Sequence, residues 1–195
     1  MTILQERAST ARRAMIDSQL RVSGVNDPAV LAAIDAVARE DFVPAAQAGL
    51  AYIDRALPLG DGHALPAPLF HGLALSEAQL RADDRVLVVA ASGYLAALAA
   101  RFGCTVTTLT PAEAAAAPAG EAATLILVDG AIEQLPAALV ARLAEGGRIV
   151  TGIVEGAVTR LAVGTKAAGQ IALLPVLDIG VPVLSEFAAP QRWSF

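Results

Sequence analysis

The 195-residue chain has a single cysteine, Cys104. A disulfide framework and a cysteine-based zinc site both need more, so both are excluded. Positive charge is also short. Lys and Arg number 14 against 19 Asp and Glu, a formal net charge of −5, with an isoelectric point near 5.0. No basic face is implied, and nucleic acid is not an expected partner. Long apolar runs are missing, although mean hydropathy is +0.57. The longest, Val86–Ala100, spans 15 residues and is broken by Ser92, Gly93 and Tyr94. That falls short of the ~20 residues a membrane helix needs. The stretch Met1–Arg7 turns polar within a few residues and carries no apolar secretion core. No internal repeat is present. The expectation is a cytoplasmic acidic protein with no membrane segment. Apolar residues make up 55% and charged residues 17%, which excludes intrinsic disorder and suffices for one well-buried domain.

Local patterns predict the elements. Gln5–Val22 reads as a helix with Ala8, Ala11, Met15 and Leu20 near one face. Asp27-Pro28 is a helix start, Asp27 as cap and Pro28 in the first turn. Val30, Leu31, Ile34 and Val37 give the stripe of a second helix, which ends before Phe42-Val43-Pro44. Glycines and prolines between 49 and 68 predict an irregular loop with short extended pieces. A third helix is expected over Leu69–Leu80. Val86–Val89 is a continuous apolar run, the mark of a parallel strand covered on both faces. Thr105–Leu109, Leu125–Val128 and Arg148–Ile153 read as further strands, with helices over Tyr94–Arg101 and Pro136–Leu143. Val158–Val163 and Gln170–Leu177 read as an antiparallel hairpin turning at Gly164-Thr165-Lys166, extended by Val181–Phe187. The alanine-rich Pro111–Ala123 is punctuated by Pro118-Ala119-Gly120. Strands alternating with helices indicate an open α/β sheet in one domain. Residues 1–84 would carry helices and loop, 85–153 the parallel core, and 154–195 the antiparallel end.

In such sheets ligands bind beyond the carboxyl ends of the strands. Those ends are Ala90–Tyr94, Thr110, Asp129-Gly130 and the residues after Ile153. No glycine-x-glycine-x-x-glycine follows any strand, which argues against a dehydrogenase. Asp129 is expected to end its strand facing the cleft, or to cap a turn at Gly130. His63 has no evident acidic partner in the sequence. His71 lies on the third helix, and the two histidines lack a third ligand for a metal.

Several ordered motifs carry a resemblance. They are Met15–Leu20 followed by Val25–Leu31, Arg39-Glu40-Asp41-Phe42-Val43-Pro44, and the loop Ala51-Tyr52-Ile53-Asp54-Arg55-Ala56-Leu57-Pro58-Leu59-Gly60-Asp61-Gly62. Val86-Leu87, Ser92-Gly93-Tyr94 and Gly146–Val150 complete the set. Together they resemble the protein-L-isoaspartate O-methyltransferases over nearly the whole chain. The resemblance implies a three-layer, Rossmann-like S-adenosylmethionine-dependent methyltransferase fold with amino-terminal helices and an antiparallel carboxyl-terminal hairpin. It implies S-adenosylmethionine as cofactor and isoaspartyl peptides or proteins as partners, with a homodimer left open. Cofactor positions fall on Ser92, Gly93, Tyr94, Thr110 and Asp129, and substrate-loop positions on Gly60, Gly62 and His63.

Departures from the family pattern are specific. The glycine-x-glycine-x-glycine-tyrosine loop is here Ala90-Ala91-Ser92-Gly93-Tyr94, one residue short. Alanine Cβ atoms stand where backbone would meet cofactor. The acid after the second strand is Thr110. The hydroxyl positions of the substrate loop are Ala64 and Pro66, leaving no catalytic hydroxyl there. Only residues 110–124, 15 in all, join the second and third strands. That allows one short crossover, so an edge strand is expected to be missing and the adenine side open. Two readings follow: a carboxyl methyltransferase, or a non-catalytic relative that binds a peptide or acts as a scaffold.

Overall fold

The computed structural model describes residues 3–116 and 120–190; the breaks expected at Pro118 and Ala119 lie outside them. Helix α1 (Ile3–Met15) runs into a π-helical turn, Ile16–Leu20, and a 3-10 turn, Arg21–Ser23. The wide turn sends both Ile16 and Leu20 into the core. Gly24, at φ +94°, stops the helix in a conformation that favours glycine. Asp27 then caps α2 (Pro28–Ala36), its side chain accepting from Ala29 N–H at 2.8 Å. Two 3-10 turns, Arg39–Phe42 and Ala45–Leu50, lead to a small antiparallel hairpin, β1 (Leu57–Pro58) with β2 (Ala64–Leu65), and then to α3 (Pro68–Ala78).

The central sheet has six strands: β3 (Arg85–Val89), β4 (Thr105–Leu109), β5 (Ala123–Ile132), β6 (Leu143–Glu155), β7 (Val158–Ala167) and β8 (Gln170–Asp178). Their spatial order is β4-β3-β5-β6-β7-β8. The first four in that order are parallel; β7 and β8 are antiparallel additions. Successive residues of β3 explain its unbroken apolar run. Val86 and Val88 pack with Leu125 and Leu127 beneath the amino-terminal helices, α3 and α4 (Tyr94–Ala100). Leu87 and Val89 pack with Ile126 and Val128 on the other face, beneath α5 (Pro111–Ala115) and α6 (Ala137–Arg142). Both faces are dry, and each fully buried Val or Leu is worth about 1.5–3 kcal/mol. The result is the three-layer, Rossmann-like arrangement. Among the described residues β4 is the sheet edge, and only α5 stands between it and β5.

The chain leaves β3 outward to β4, then returns across β3 to β5. The sheet therefore has its switch point at the carboxyl ends of β3 and β5. The opposite, amino-terminal end of the parallel strands is stapled by Asp84. Its carboxylate takes Arg148 at 2.6 and 3.0 Å and the Thr124 hydroxyl at 2.7 Å. Burial pushes this carboxyl up, but those bonds and the Arg81 N–H outweigh it and hold it at about 2.

Three expectations need correction. The β7–β8 turn is at Ala168-Gly169, not at Gly164–Lys166. Gly164 lies within β7, where a Cβ would come 2.8 Å from Ile171, so that glycine serves close packing rather than a turn. Val181–Phe187 does not extend the hairpin. It crosses to β5, where Ala131 N–H donates to Pro182 O and Leu184 N–H to Ala131 O, both at 2.8 Å. Asp129 lies inside β5, three residues before its end, and no turn forms at Gly130. Among the described residues no helix is long and apolar enough to cross a membrane.

Candidate functional site

The residues expected to hold cofactor gather around the switch point but face different ways. The turn after β3 runs Ala90–Gly93 into α4. Ala90 is fixed by its N–H to Leu109 O at 3.0 Å, and the Ser92 hydroxyl accepts from Tyr94 N–H at 3.4 Å. Gly93 is exposed, with the Phe42 ring 3.3 Å from where a Cβ would stand. The side chain of Tyr94 turns inward and is buried. Its ring lies edge-on to His71 at 5.0 Å and under the Arg39 guanidinium at 5.0 Å. Burial, only partly offset by Arg39, pushes its hydroxyl up to about 12.

Thr110 is the N-cap of α5. Its hydroxyl accepts from Glu113 N–H at 3.2 Å, and the Glu113 carboxylate accepts from Thr110 N–H at 2.8 Å and from its hydroxyl at 2.9 Å. An exposed carboxylate, Glu113, thus stands in the first turn of α5, just beyond the end of β4. The threonine-x-x-glutamate spacing was the available sequence signal.

Asp129 does not face an open cleft. It is 3% exposed, and its Oδ1 lies 2.8 Å from His71 Nε2. His71 is fully buried on α3, and its Nδ1 meets Arg39 Nη1 at 3.2 Å. A guanidinium can only donate, so Nδ1 accepts and Nε2 carries the proton given to Asp129. Burial pushes the His71 pKa down, against the pull of Asp129, which keeps the ring neutral. Arg39 is likewise fully buried, and it donates from Nε to Ala51 O at 2.8 Å and from Nη2 to Pro66 O at 2.6 Å. One side chain thereby gathers both ends of the loop 51–66.

That loop carries the positions expected to meet substrate, Gly60, Gly62 and His63. Gly60 and Gly62 have φ of +102° and +91°, and they shape the tip between β1 and β2. Ala64 pairs with Pro58 in the hairpin, and Pro66 contributes its carbonyl to Arg39. His63 does have acidic partners: Nε2 lies 2.8 Å from Glu186 Oε1, and Nδ1 lies 3.1 Å from Asp61 Oδ1. The Glu186 bond, against mild burial and with help from Asp61, raises the His63 pKa. Glu186 belongs to a 3-10 turn, Ser185–Phe187, that packs against α5. Tyr52 braces the loop's start, accepting from Arg12 Nε at 2.7 Å and donating to Glu40. Among the described residues no three His, Cys, Asp or Glu gather as metal ligands. Sequence reasoning missed Arg39, His71, Glu113 and Glu186 as members of this region.

Residues 10–113 match the family model Protein-L-isoaspartate(D-aspartate) O-methyltransferase (PCMT). A protein-L-isoaspartate O-methyltransferase of Methylorubrum populi is 36% identical over 165 residues, 72% of this chain and 78% of the relative. One from Methylorubrum extorquens is 48% identical over 94 residues, and the match spans 41% of that relative. Among solved structures, one from Plasmodium falciparum, assigned as a protein-L-isoaspartate O-methyltransferase and bound to S-adenosyl-L-homocysteine, superposes with a TM-score of 0.75. It is 20% identical and covers 90% of this chain and 98% of that one, a likeness of fold.

Proposed function

Because the chain belongs to the protein-L-isoaspartate O-methyltransferase family, we propose that it is an S-adenosylmethionine-dependent carboxyl methyltransferase acting on isoaspartyl residues of peptides or proteins. One observation carries the reading. The loop Gly60–Pro68 is anchored twice: at its base by Arg39, which reaches Asp129 of β5 through His71, and at its tip by the bond of His63 to Glu186 in the turn Ser185–Phe187. A peptide on that loop would lie beside the turn that enters α4.

The residues of the turn suit one end of the cofactor. Ser92 and exposed Gly93 precede the backbone N–H groups of α4, and Glu113 supplies a carboxylate at the end of β4 for ribose hydroxyls. When bound, the group supplies an electrophilic methyl. The substrate carboxylate is itself the nucleophile, so the chain need only orient it and exclude water, and no base is required. Ala64 and Pro66 offer no hydroxyl for that orientation. His63, whose pKa is raised, can carry a positive charge on the loop, shared with Glu186 and Asp61.

A second reading, a non-catalytic relative that uses the same loop as a binding surface, is supported by different residues. Asp129 is committed to His71, Ala90 and Ala91 stand at glycine positions, and the β4–β5 connection is short. Both a lost polar group and a lost wall weaken binding, together by several kcal/mol. Calorimetric titration with S-adenosylhomocysteine separates the two. Saturable binding in the micromolar range supports the enzyme; no heat at millimolar ligand, with folded protein, supports the binding module.

A further inference from the structure

Methyl transfer to a bound carboxylate calls on neither His71 nor Asp129, yet with Arg39 they form a buried polar chain that ends on the loop. Arg39 donates to three acceptors: Ala51 O, Pro66 O and His71 Nδ1. His71 passes the third contact on to Asp129 Oδ1 in β5, 58 residues away. Arg39 and His71 are fully buried and Asp129 nearly so. A buried guanidinium with no counter-charge is costly. Here the counter-charge does not touch it but reaches it through a neutral imidazole. Tyr94, over whose ring the guanidinium sits, closes one side and shares its other contact with His71.

We propose that His71 and Asp129 are positioning residues for the loop 51–66, with the imidazole relaying the β5 carboxylate to the guanidinium that holds both loop ends. The assignment rests on the reading of that loop as the peptide-binding face. It gives the two residues a role that neither a cofactor ligand nor a core filler would have. Asp129 fixes His71 in one tautomer, His71 fixes Arg39, and Arg39 sets the distance between Ala51 and Pro66. The β1–β2 hairpin is the part of the chain suspended between those two carbonyls.

The test uses Asp129→Asn, which keeps an acceptor for His71 while removing the charge. Hydrogen exchange of the hairpin amides, including Leu59, is compared with that of β3 and β5. The expected result is hairpin exchange at least tenfold faster with β3 and β5 unchanged, and a tenfold loss of affinity for an isoaspartyl-containing peptide. Equal acceleration everywhere, or none, overturns the proposal. Because the variant can fail to fold, nitrogen-15 imidazole spectra of the wild-type protein give an independent reading. A neutral His71 protonated at Nε2 is expected at neutral pH, as the hydrogen bond accepted from Arg39 requires, and a protonated ring or an Nδ1–H tautomer overturns the relay. If the wild type binds no isoaspartyl peptide but the hairpin still responds to Asp129→Asn, the functional reading fails and the relay stands.

Discussion

His63 and Glu186 are 123 residues apart in sequence and 2.8 Å apart in space. The contact fastens the tip of the β1–β2 hairpin to the carboxyl-terminal segment that lies along β5. Both groups are about one-fifth exposed, 21% and 19%, so the pair sits between a surface and a buried ion pair and is worth of order 1 kcal/mol.

The latch is therefore pH-dependent. The His63 pKa is raised, so its contribution is complete below the ordinary histidine value and fades as pH climbs through the raised one. The Glu186 carboxyl is lowered, despite burial that opposes this, by backbone N–H and His63 bonds. Its share is lost only as pH falls through that lowered value. The hairpin should be held best from mildly acid to neutral pH. Limited proteolysis between 57 and 65 should speed up from pH about 6 to about 9, and His63→Gln should flatten the profile.

At the opposite end of the sheet, Asp84→Asn should cost about 2 kcal/mol at pH 7 by the linkage from an ordinary carboxyl to about 2. The stabilisation is present above the unfolded-state value and disappears as pH falls through about 2. Urea unfolding of both proteins should show a gap that narrows from pH 7 to pH 3 and closes below about 2.

Arg39→Lys should be far from conservative. A single ammonium cannot reach Ala51 O, Pro66 O and His71 Nδ1 from one planar fork, and it leaves buried acceptors unpaired. A loss of about 3–5 kcal/mol is expected in denaturant unfolding.

Thr110→Val and Glu113→Gln distinguish a cap from a ligand. Losing the Thr110 acceptor should cost about 1 kcal/mol of stability and leave S-adenosylhomocysteine affinity within about twofold. Glu113→Gln should weaken that affinity about tenfold, the value of one charge-assisted hydrogen bond. Calorimetry on both variants checks this.

Much of the fold was legible because its signals are local. Val86–Val89 announces a two-sided strand, and Asp27-Pro28 starts α2 where expected. Glycine misled where its role is packing. Gly164 read as a turn, but it makes room for Ile171 and Leu173 across a strand pair. Gly130 read as a turn beside Asp129, but a Cβ there would come 2.6 Å from Leu184. The site was legible only in part. Thr110 and Glu113 sit within one helical turn and carry a readable capping pattern. The pairs His71–Asp129 and His63–Glu186 are 58 and 123 residues apart and exist only through topology. A buried arginine such as Arg39 gives no sign in sequence of which carbonyls it will find.

The most direct measurement is transfer of labelled methyl from S-adenosylmethionine to a peptide containing one isoaspartyl residue, beside the same peptide with ordinary aspartate. A base-labile methyl ester on the isoaspartyl peptide alone is expected. No label on either peptide from folded protein, or equal label on both, would contradict it.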